Sequence, residues 1–366
     1  MQPFVVDIAP EVLTDLHERL DRTRLPNQIS GIGWDQGTDR AYLAALLDHW
    51  RNRYDWRATE ARLNAVPQFV TEIDGQRIHF LHARSPRPDA RALMLVHGWP
   101  GSVLEHLDAL DLLCDDFHVI VPSLPGFTFS GETSEPGWHP RRIAVALAEV
   151  MARLGYERYG LQGGDWGSLV CANLADLHPD RVIGLHLNMV TGVRPIPDAP
   201  VTDAERQALD AAKVWRRTGM GYQQIQGTRP QSLGYGLQDS PAGVAAWIVE
   251  KFREWSDGDI ADAFTFDRLL DNITAYWVTG TAASSLRIYW EMQRAGRDAL
   301  PSGHIEVPTG IARFPGEIGF PPRSWVEAAY DVVRWSEPAL GGHFAAMEAP
   351  NDFAADVRAF FNDLSA

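Results

Sequence analysis

The chain has 366 residues, of which 45% are hydrophobic and 22% are charged. This composition is typical of a soluble globular protein, and the length leaves room for roughly two domains. The formal net charge of −15 argues against a nucleic-acid partner, because binding to phosphates requires clustered lysine and arginine.

The chain also lacks the patterns of a secreted or membrane-anchored protein. The first residues, Met1–Asp7, have no basic start and no apolar stretch of signal-peptide length. No apolar run approaches the ~20 residues that span a bilayer. We therefore expect a cytoplasmic protein without a membrane anchor. Cys114 and Cys171 lie in apolar, helix-like surroundings, which predicts buried, inert thiols rather than a disulfide.

Residues 1–90 read as a helical lead-in followed by the start of a sheet. Apolar residues recur at helical spacing between residues 10 and 25 and again over Tyr42–Trp50. Two strand-like runs, Gln68–Ile73 and Gln76–His82, flank an Asp-Gly pair. Such a pair between alternating strands predicts a β-hairpin.

From Leu93 onwards, short apolar runs alternate with helix-like segments. This alternation predicts an α/β fold, in which helices cover both faces of a mostly parallel sheet. The strand-like runs are Leu93–Val96, Phe117–Val121, Tyr159–Gln162 and Val182–Leu187, and the helix-like segments include Ile143–Leu154 and Ser168–Leu177.

Residues 192–300 lack this alternation and are rich in tryptophan, tyrosine and glutamine. We interpret them as an inserted helical cap. Strand-like runs at Ile305–Val307 and Asp331–Arg334 then resume the sheet, and a last helix is expected from about residue 346 to 361. The predicted divisions are an N-terminal segment (1–90), a first core part (91–191), the cap (192–300) and a second core part (301–366).

The segment Gly163–Gly167, Gly-Gly-Asp-Trp-Gly, is the most informative part of the sequence. Small residues two before and two after a central reactive residue suit a sharp strand-to-helix turn, the nucleophile elbow of α/β-hydrolases. The central residue here is Asp165. A carboxylate nucleophile attacks electrophilic carbon and forms an alkyl ester. The motif therefore points to epoxides or alkyl halides rather than to the substrates of a serine nucleophile.

A second glycine-rich turn follows the Leu93–Val96 strand. It contains His97 and Trp99, and the backbone N–H groups of Trp99 and Trp166 are candidates for an oxyanion hole. His97 is either a catalytic base or a hydrogen-bonded residue that shapes the loop, and we favour the second interpretation. No metal-ligand spacing occurs in the sequence, and we expect no cofactor.

The candidate general base is His343, in a glycine-rich loop after the last strand-like run. The fold expects its orienting acid between the nucleophile and this histidine in chain order. Four carboxylates lie at plausible range, and the residue pattern alone does not choose among them; they are Glu317, Glu327, Asp331 and Glu337. Glu317 lies in a loop that should occupy the carboxyl end of a strand.

The whole chain resembles the microsomal-type epoxide hydrolases. The matching segments extend from Asp15–Arg24 to Gly341–Glu348, and they include His97–Ser102, Gly163–Gly167, Asp239–Gly243, Pro308–Gly310 and Phe314–Glu317. The resemblance implies that Asp165 is the nucleophile, Glu317 the acid and His343 the base. It also implies that two cap residues, Tyr222 and Tyr289, donate hydrogen bonds to the epoxide oxygen.

Two departures from the family pattern stand out. Members anchored in membranes carry an N-terminal hydrophobic segment that this sequence lacks, so the resemblance implies a soluble, bacterial-type member. Thr128 replaces a residue that is often glycine in the family, which bears on the shape of the pocket. We expect the rings of Trp99, Trp166 and Phe344 to line that pocket.

The expected partners are a small-molecule epoxide and water. The sequence does not identify the epoxide, and it leaves open a homo-oligomer as well as a role in detoxification or biosynthesis. Two other functions compete with this one. A haloalkane dehalogenase also uses an aspartate elbow, with a tryptophan at the position of Trp166 as a halide ligand. The alternative from another class is a ligand-binding protein on an inactive hydrolase scaffold.

Overall fold

The computed structural model describes residues 1–194 and 200–364. Within these ranges one sheet of nine strands forms the centre of the molecule, in the order β1-β2-β3-β5-β4-β6-β7-β8-β9. The strands are β1 (Gln2–Phe4), β2 (Gln68–Ile73), β3 (Gln76–Ala83), β4 (Arg91–Val96), β5 (Phe117–Pro122), β6 (Tyr159–Gly163), β7 (Val182–Leu187), β8 (Ile305–Ala312) and β9 (Tyr330–Ser336). Pairing is antiparallel from β1 to β5 and parallel from β5 to β9.

Helices surround this sheet. In the described part of the chain they are α1 (Pro10–Asp21), α2 (Arg40–Asn52), α3 (Trp56–Asn64), α4 (Leu107–Leu113), α5 (Pro140–Arg153), α6 (Asp165–Leu177), α7 (Asp203–Thr218), α8 (Gly221–Thr228), α9 (Pro230–Asp239), α10 (Pro241–Trp255), α11 (Ile260–Ala263), α12 (Phe266–Val278), α13 (Ala282–Ser285), α14 (Arg287–Ala295), α15 (Arg323–Ala329), α16 (Ala345–Glu348) and α17 (Pro350–Asp363). None of these helices has the length and apolarity needed to span a bilayer.

The hydrophobic core has two parts because successive strand residues point to opposite faces of the sheet. On β4, Met94 and Val96 belong to the cluster that includes residues of α5 and α6. Leu93 and Leu95 belong to the other cluster, with residues of α4 and α17. Since β4 is buried on both faces, it reads as a continuous apolar run, and the predicted α/β architecture is confirmed.

The N-terminal segment packs against the helices that lie between β7 and β8. The Arg19 guanidinium of α1 donates hydrogen bonds to the carboxylate and the backbone carbonyl of Asp239, at 2.7 and 2.8 Å. From α2, His49 lies 2.7 Å from the Asp267 carboxylate. The Arg19–Asp239 contact joins two sequence motifs, Asp15–Arg24 and Asp239–Gly243, that are more than two hundred residues apart.

Of three local predictions, the structure confirms one and corrects the other two wholly or in part. The hairpin of β2 and β3 is confirmed, with Asp74 and Gly75 both at positive φ. The single C-terminal helix is wrong, because the chain forms α16 and then a separate helix that begins at Pro350. Both thiols are free, but Cys114 is only half-buried whereas Cys171 is buried.

The helices α7–α14 occupy the interval 192–300 that was predicted as a cap. These helices are called the helical layer below. Residues 195–199 of that interval, and residues 365–366 of the second core part, lie outside the described residues. The boundaries of the four segments therefore stay a prediction.

Candidate active site

The site lies where the strand order reverses. β4 has β5 on one side and β6 on the other, so the loops that follow β4 and β6 diverge and leave a crevice at the carboxyl ends of the strands. The loop after β4 carries Trp99, and the turn after β6 carries Asp165. The loops after β8 and β9, which hold Glu317 and His343, open at the same edge because these strands are parallel to β6.

The turn at Asp165 has the geometry of a nucleophile elbow. Asp165 has a φ of 46°, a left-handed conformation that is rare for residues other than glycine. A β-carbon on Gly163 would lie 2.5 Å from the carbonyl oxygen of Gly167, and one on Gly167 would lie 1.9 Å from that of Val96. Glycine is therefore required at both positions, as the motif predicted. Helix α6 begins at Asp165 itself, three residues before the predicted start.

The two carboxylate oxygens of Asp165 have different neighbours. Oδ1 accepts a hydrogen bond from the backbone N–H of Trp99 at 2.7 Å. Oδ2 lies 3.5 Å from Nε2 of His343. The predicted approach of the Trp99 N–H to the Asp165 side chain is confirmed. The N–H of Trp166, in the first turn of α6, stays a prediction as the second donor.

The structure brings Glu317 to His343 and leaves the competing carboxylates elsewhere. Gly316 and Gly342 pair as an isolated bridge, which holds the two loops side by side. Nδ1 of His343 lies 2.8 Å from Oε1 of Glu317, and the same oxygen accepts the N–H of Ile318 at 2.8 Å. The other candidates are placed differently: Glu327 pairs with Arg323, Glu337 lies near Arg313, and Asp331 is exposed.

The electrostatics of this cluster favour a proton on His343 while both neighbouring groups are carboxylates. Burial alone would lower the pKa of His343, but the charges and hydrogen bonds of Glu317 and Asp165 outweigh it and raise that pKa well above its ordinary value. For Glu317, burial raises the pKa despite the opposing effect of His343. Any reaction that neutralises Asp165 removes one of the charges that hold the proton on His343.

Two tyrosines from the helical layer face the elbow through a cluster of aromatic rings. Tyr222 of α8 stacks on Trp99 with ring centroids 5.6 Å apart. The ring of Tyr289 of α14 lies edge-to-face with those of Trp99, Tyr222 and Trp166. The ring centroids are 5.8, 5.8 and 4.7 Å apart, respectively. Burial and then charge, including that of Asp165, raise the pKa of both phenols, so their hydroxyl groups stay protonated.

Two further residues singled out in the sequence, His97 and Phe344, are buried and make defined contacts. His97 donates through Nδ1 to the carbonyl of Gly98 and accepts the N–H of Leu124 at Nε2, which confirms the loop-shaping interpretation. Burial lowers the pKa of His97 to about 4. Phe344 is buried and stacks on Phe252 at 4.0 Å, and its contribution to a substrate pocket stays a prediction.

Thr128 occupies a conformation that explains why glycine suits this position. Its φ is 35°, in the left-handed region that disfavours β-branched residues. The side chain is buried, and its hydroxyl donates to that of Ser123 at 3.2 Å. Its backbone N–H donates to the hydroxyl of Thr281 at 2.9 Å. The substitution therefore affects a junction between the core and the helical layer.

Two ionisable residues close to the site, Lys251 and Glu105, were not predicted from the sequence. Lys251 of α10 is 2% exposed, and its ammonium lies 4.5 Å from the ring centroid of Tyr222. It is paired with Glu250 at 2.6 Å and Glu254 at 3.2 Å. Glu105 follows the loop after β4, and burial of its carboxyl group raises the pKa to about 8, although part of the residue's surface remains accessible.

Family models and full-length relatives agree on the identity of this architecture. Residues 1–106 match the model described as "Epoxide hydrolase N terminus", and residues 91–233 match that of the alpha/beta hydrolase fold. The chain is 37% identical to epoxide hydrolase 1 of Sus scrofa over 402 residues, which cover 98% of this chain and 88% of the relative. The chain belongs to the microsomal-type epoxide hydrolases. A Stigmatella aurantiaca protein classed as an epoxide hydrolase is 46% identical over 100% of this chain and 85% of its own length.

Solved structures of epoxide hydrolases share the fold over nearly the whole chain. The Aspergillus niger epoxide hydrolase superposes with a TM-score of 0.89 at 33% identity, covering 99% of this chain and 96% of that one. The juvenile hormone epoxide hydrolase of Bombyx mori gives a TM-score of 0.91 at 31% identity, covering 100% and 94%. Membership of this family favours epoxides over alkyl halides and therefore argues against the haloalkane dehalogenase alternative.

Proposed function

We propose that this epoxide hydrolase opens its substrate to a vicinal diol through a covalent ester on Asp165. The observation that carries the proposal is that the two oxygens of that carboxylate have different neighbours. Oδ1 is held by the N–H of Trp99, whereas Oδ2 faces the His343–Glu317 pair. A nucleophile that must form and then lose an ester needs one oxygen in an oxyanion site and a base beside the carboxyl group.

In the first half-reaction, Oδ2 attacks one epoxide carbon while the bond from that carbon to the ring oxygen breaks. The released oxygen gains negative charge, accepts hydrogen bonds from the protonated phenols of Tyr222 and Tyr289, and takes a proton from one of them. Loss of the Asp165 charge then lets His343 release its own proton, which returns through water to that phenolate. The neighbouring tryptophan rings support an apolar epoxide as the substrate. The product is a neutral ester whose carbonyl oxygen is Oδ1.

In the second half-reaction, His343 removes a proton from water, and the resulting hydroxide attacks Cγ of Asp165. Formation of the ester has removed the negative charge of Asp165, so the pKa of His343 falls when a base is needed. Glu317 keeps the imidazole oriented and stabilises its charged form. The tetrahedral oxyanion on Oδ1 meets the N–H groups of Trp99 and Trp166. As the bond between Cγ and the former Oδ2 breaks, that oxygen takes the proton held by His343, and the vicinal diol leaves with it. The new carboxyl group of Asp165 then gives its proton to His343, which restores the starting state.

Trapping of the ester tests this proposal. The His343→Gln variant should form the ester with styrene oxide but hydrolyse it slowly, so intact mass spectrometry should detect one added substrate. Peptide mapping should locate the adduct on Asp165, and Asp165→Asn should form none. An adduct on another residue, or tight binding of styrene oxide without turnover by the unmodified enzyme, would contradict the proposal.

A further inference from the structure

Two buried polar residues of α12 bind the loop that follows β4. Nδ2 of Asn272 donates to the carbonyl oxygen of Pro100 at 2.7 Å, and its Oδ1 accepts the hydroxyl of Ser102 at 2.8 Å. The hydroxyl of Tyr276 donates to the carbonyl of Gly101 at 2.6 Å. Three consecutive loop residues are therefore each bonded to the same helix. Asn272 and Tyr276 are 1% and 0% exposed, so water does not compete for these bonds.

The bonded loop residues directly follow the proposed oxyanion donor. Trp99 is the residue before Pro100, and its N–H lies 2.7 Å from Oδ1 of Asp165. A backbone donor cannot be oriented by a rotamer of its own, so its direction depends on the conformation of the adjoining loop. The carbonyls of Pro100 and Gly101 are the nearest fixed points on the C-terminal side of the donor. Asn272 and Tyr276 hold both.

The helix is itself held from the opposite direction by the N-terminal segment. Asp271 precedes Asn272, and its carboxylate accepts hydrogen bonds from the hydroxyl of Tyr54 at 3.0 Å and from that of Thr59 in α3. Asn272 and Tyr276 are four residues apart and so lie on one face of α12. The contacts of α12 thus form a continuous connection from the N-terminal segment to the loop beside Asp165.

We propose that Asn272 and Tyr276 are positioning residues, which aim the N–H of Trp99 at Oδ1 of Asp165 by fixing the carbonyls of Pro100 and Gly101. The inference rests on the proposed covalent mechanism. It predicts an unequal effect on the two half-reactions. During hydrolysis, negative charge develops on Oδ1, and a misdirected donor fails to stabilise it. During alkylation, the carboxylate loses charge, so the same change matters much less.

Tyr276→Phe tests the proposal with the smallest change, since it removes one hydroxyl and keeps the ring. The matched control is Tyr159→Phe, because Tyr159 is also fully buried and its hydroxyl has no partner within the described structure. With styrene oxide in rapid-quench experiments, Tyr276→Phe should hydrolyse the ester about tenfold more slowly. Alkylation should change by less than about threefold, so the esterified fraction of Asp165 at steady state should rise. The control should match the unmodified enzyme.

The double variant Asn272→Leu, Tyr276→Phe should extend the same pattern, with a further loss in hydrolysis and a larger esterified fraction. If that variant does not fold, as thermal melting would reveal, Tyr276→Phe alone decides. Equal slowing of both half-reactions, or an unchanged hydrolysis rate, would overturn the positioning role. Absence of any ester on Asp165 in the unmodified enzyme and in His343→Gln would instead contradict the covalent mechanism, so the two failures are distinguishable.

Discussion

In the proposed mechanism, the hydroxyl groups of Tyr222 and Tyr289 act as the acids of ring opening. A hydrogen bond to a developing charge contributes about 1.5–3 kcal/mol, which corresponds to roughly 10- to 100-fold in rate. We therefore expect Tyr222→Phe and Tyr289→Phe each to slow alkylation by that amount, with hydrolysis of the ester nearly unchanged. Single-turnover ester formation measures the effect. Tyr235→Phe is the control, because Tyr235 is 70% exposed on the helical layer. Unchanged alkylation in the double variant would remove both residues from the mechanism.

The raised pKa of Glu105 makes the folding stability depend on pH. Burial raises its pKa to about 8, above the ordinary value of 4.5, so the folded protein retains a proton that the unfolded chain releases between these values. The contribution of Glu105 to stability should therefore become less favourable as pH rises from about 4.5 to 8. Glu105→Gln should gain stability relative to the unmodified enzyme by on the order of a few kcal/mol over this window.

Urea unfolding at pH 5 and pH 8.5 measures this difference for Glu105→Gln. The exposed Glu157→Gln serves as the control and should show the same difference from the unmodified enzyme at both pH values. A stability difference for Glu105→Gln that does not change with pH would mean that this carboxyl group ionises normally in the folded state.

At the scale of single elements, helix α17 is attached to the sheet by a buried ionic network. Asp356 accepts hydrogen bonds from His186 of β7 at 2.9 Å and from Ser336 of β9 at 2.8 Å, and it pairs with Arg334 at 3.2 Å. Burial alone would raise the pKa of Asp356, but these partners outweigh it and lower the pKa to about 2. Its ionised form thus stabilises the folded state.

The stability that this network contributes should be lost at acidic pH. The contribution of Asp356 is complete above its ordinary pKa near 4 and is lost as pH falls towards 2. Asp356→Asn should lower the free energy of unfolding at pH 6 by about 2 kcal/mol or more, with a much smaller deficit near pH 2. Urea midpoints across this range provide the test, and Asp352→Asn, an exposed change on the same helix, is the control. An equal deficit at both ends of the range would show that the ion pair is not its cause.

The elements that the sequence revealed are those with a strong local pattern. The buried strands β4 to β7 read as short, mostly apolar runs, and the hairpin of β2 and β3 carries its Asp-Gly turn. Strand β1 has only three residues and depends on its pairing with β2, so no local pattern predicts it. The C-terminal helix divides where Pro350 starts a new helix, because proline lacks the N–H that a continuing helix needs.

At the scale of the whole molecule, the predictability of the site follows from how far apart its contacts lie in the chain. Asp165 and Trp99 belong to compact motifs, and the glycines of these motifs predict sharp turns from the sequence alone. Choosing Glu317 among four carboxylates required resemblance to a family, since only the folded chain places it 2.8 Å from His343. Asn272 reaches Pro100 across 172 residues, and no spacing in the sequence predicts such a contact.

Isotope labelling of one catalytic cycle tests the covalent mechanism most directly. Enzyme in excess over styrene oxide would be mixed in ¹⁸O-water, and the diol and the peptide that contains Asp165 would be analysed by mass spectrometry. We predict an unlabelled diol from the first turnover, because its new oxygen comes from Oδ2, and one ¹⁸O atom in the Asp165 carboxylate. A diol that carries solvent oxygen after a single turnover, with Asp165 unlabelled, would contradict the ester intermediate and show that water attacks the epoxide directly.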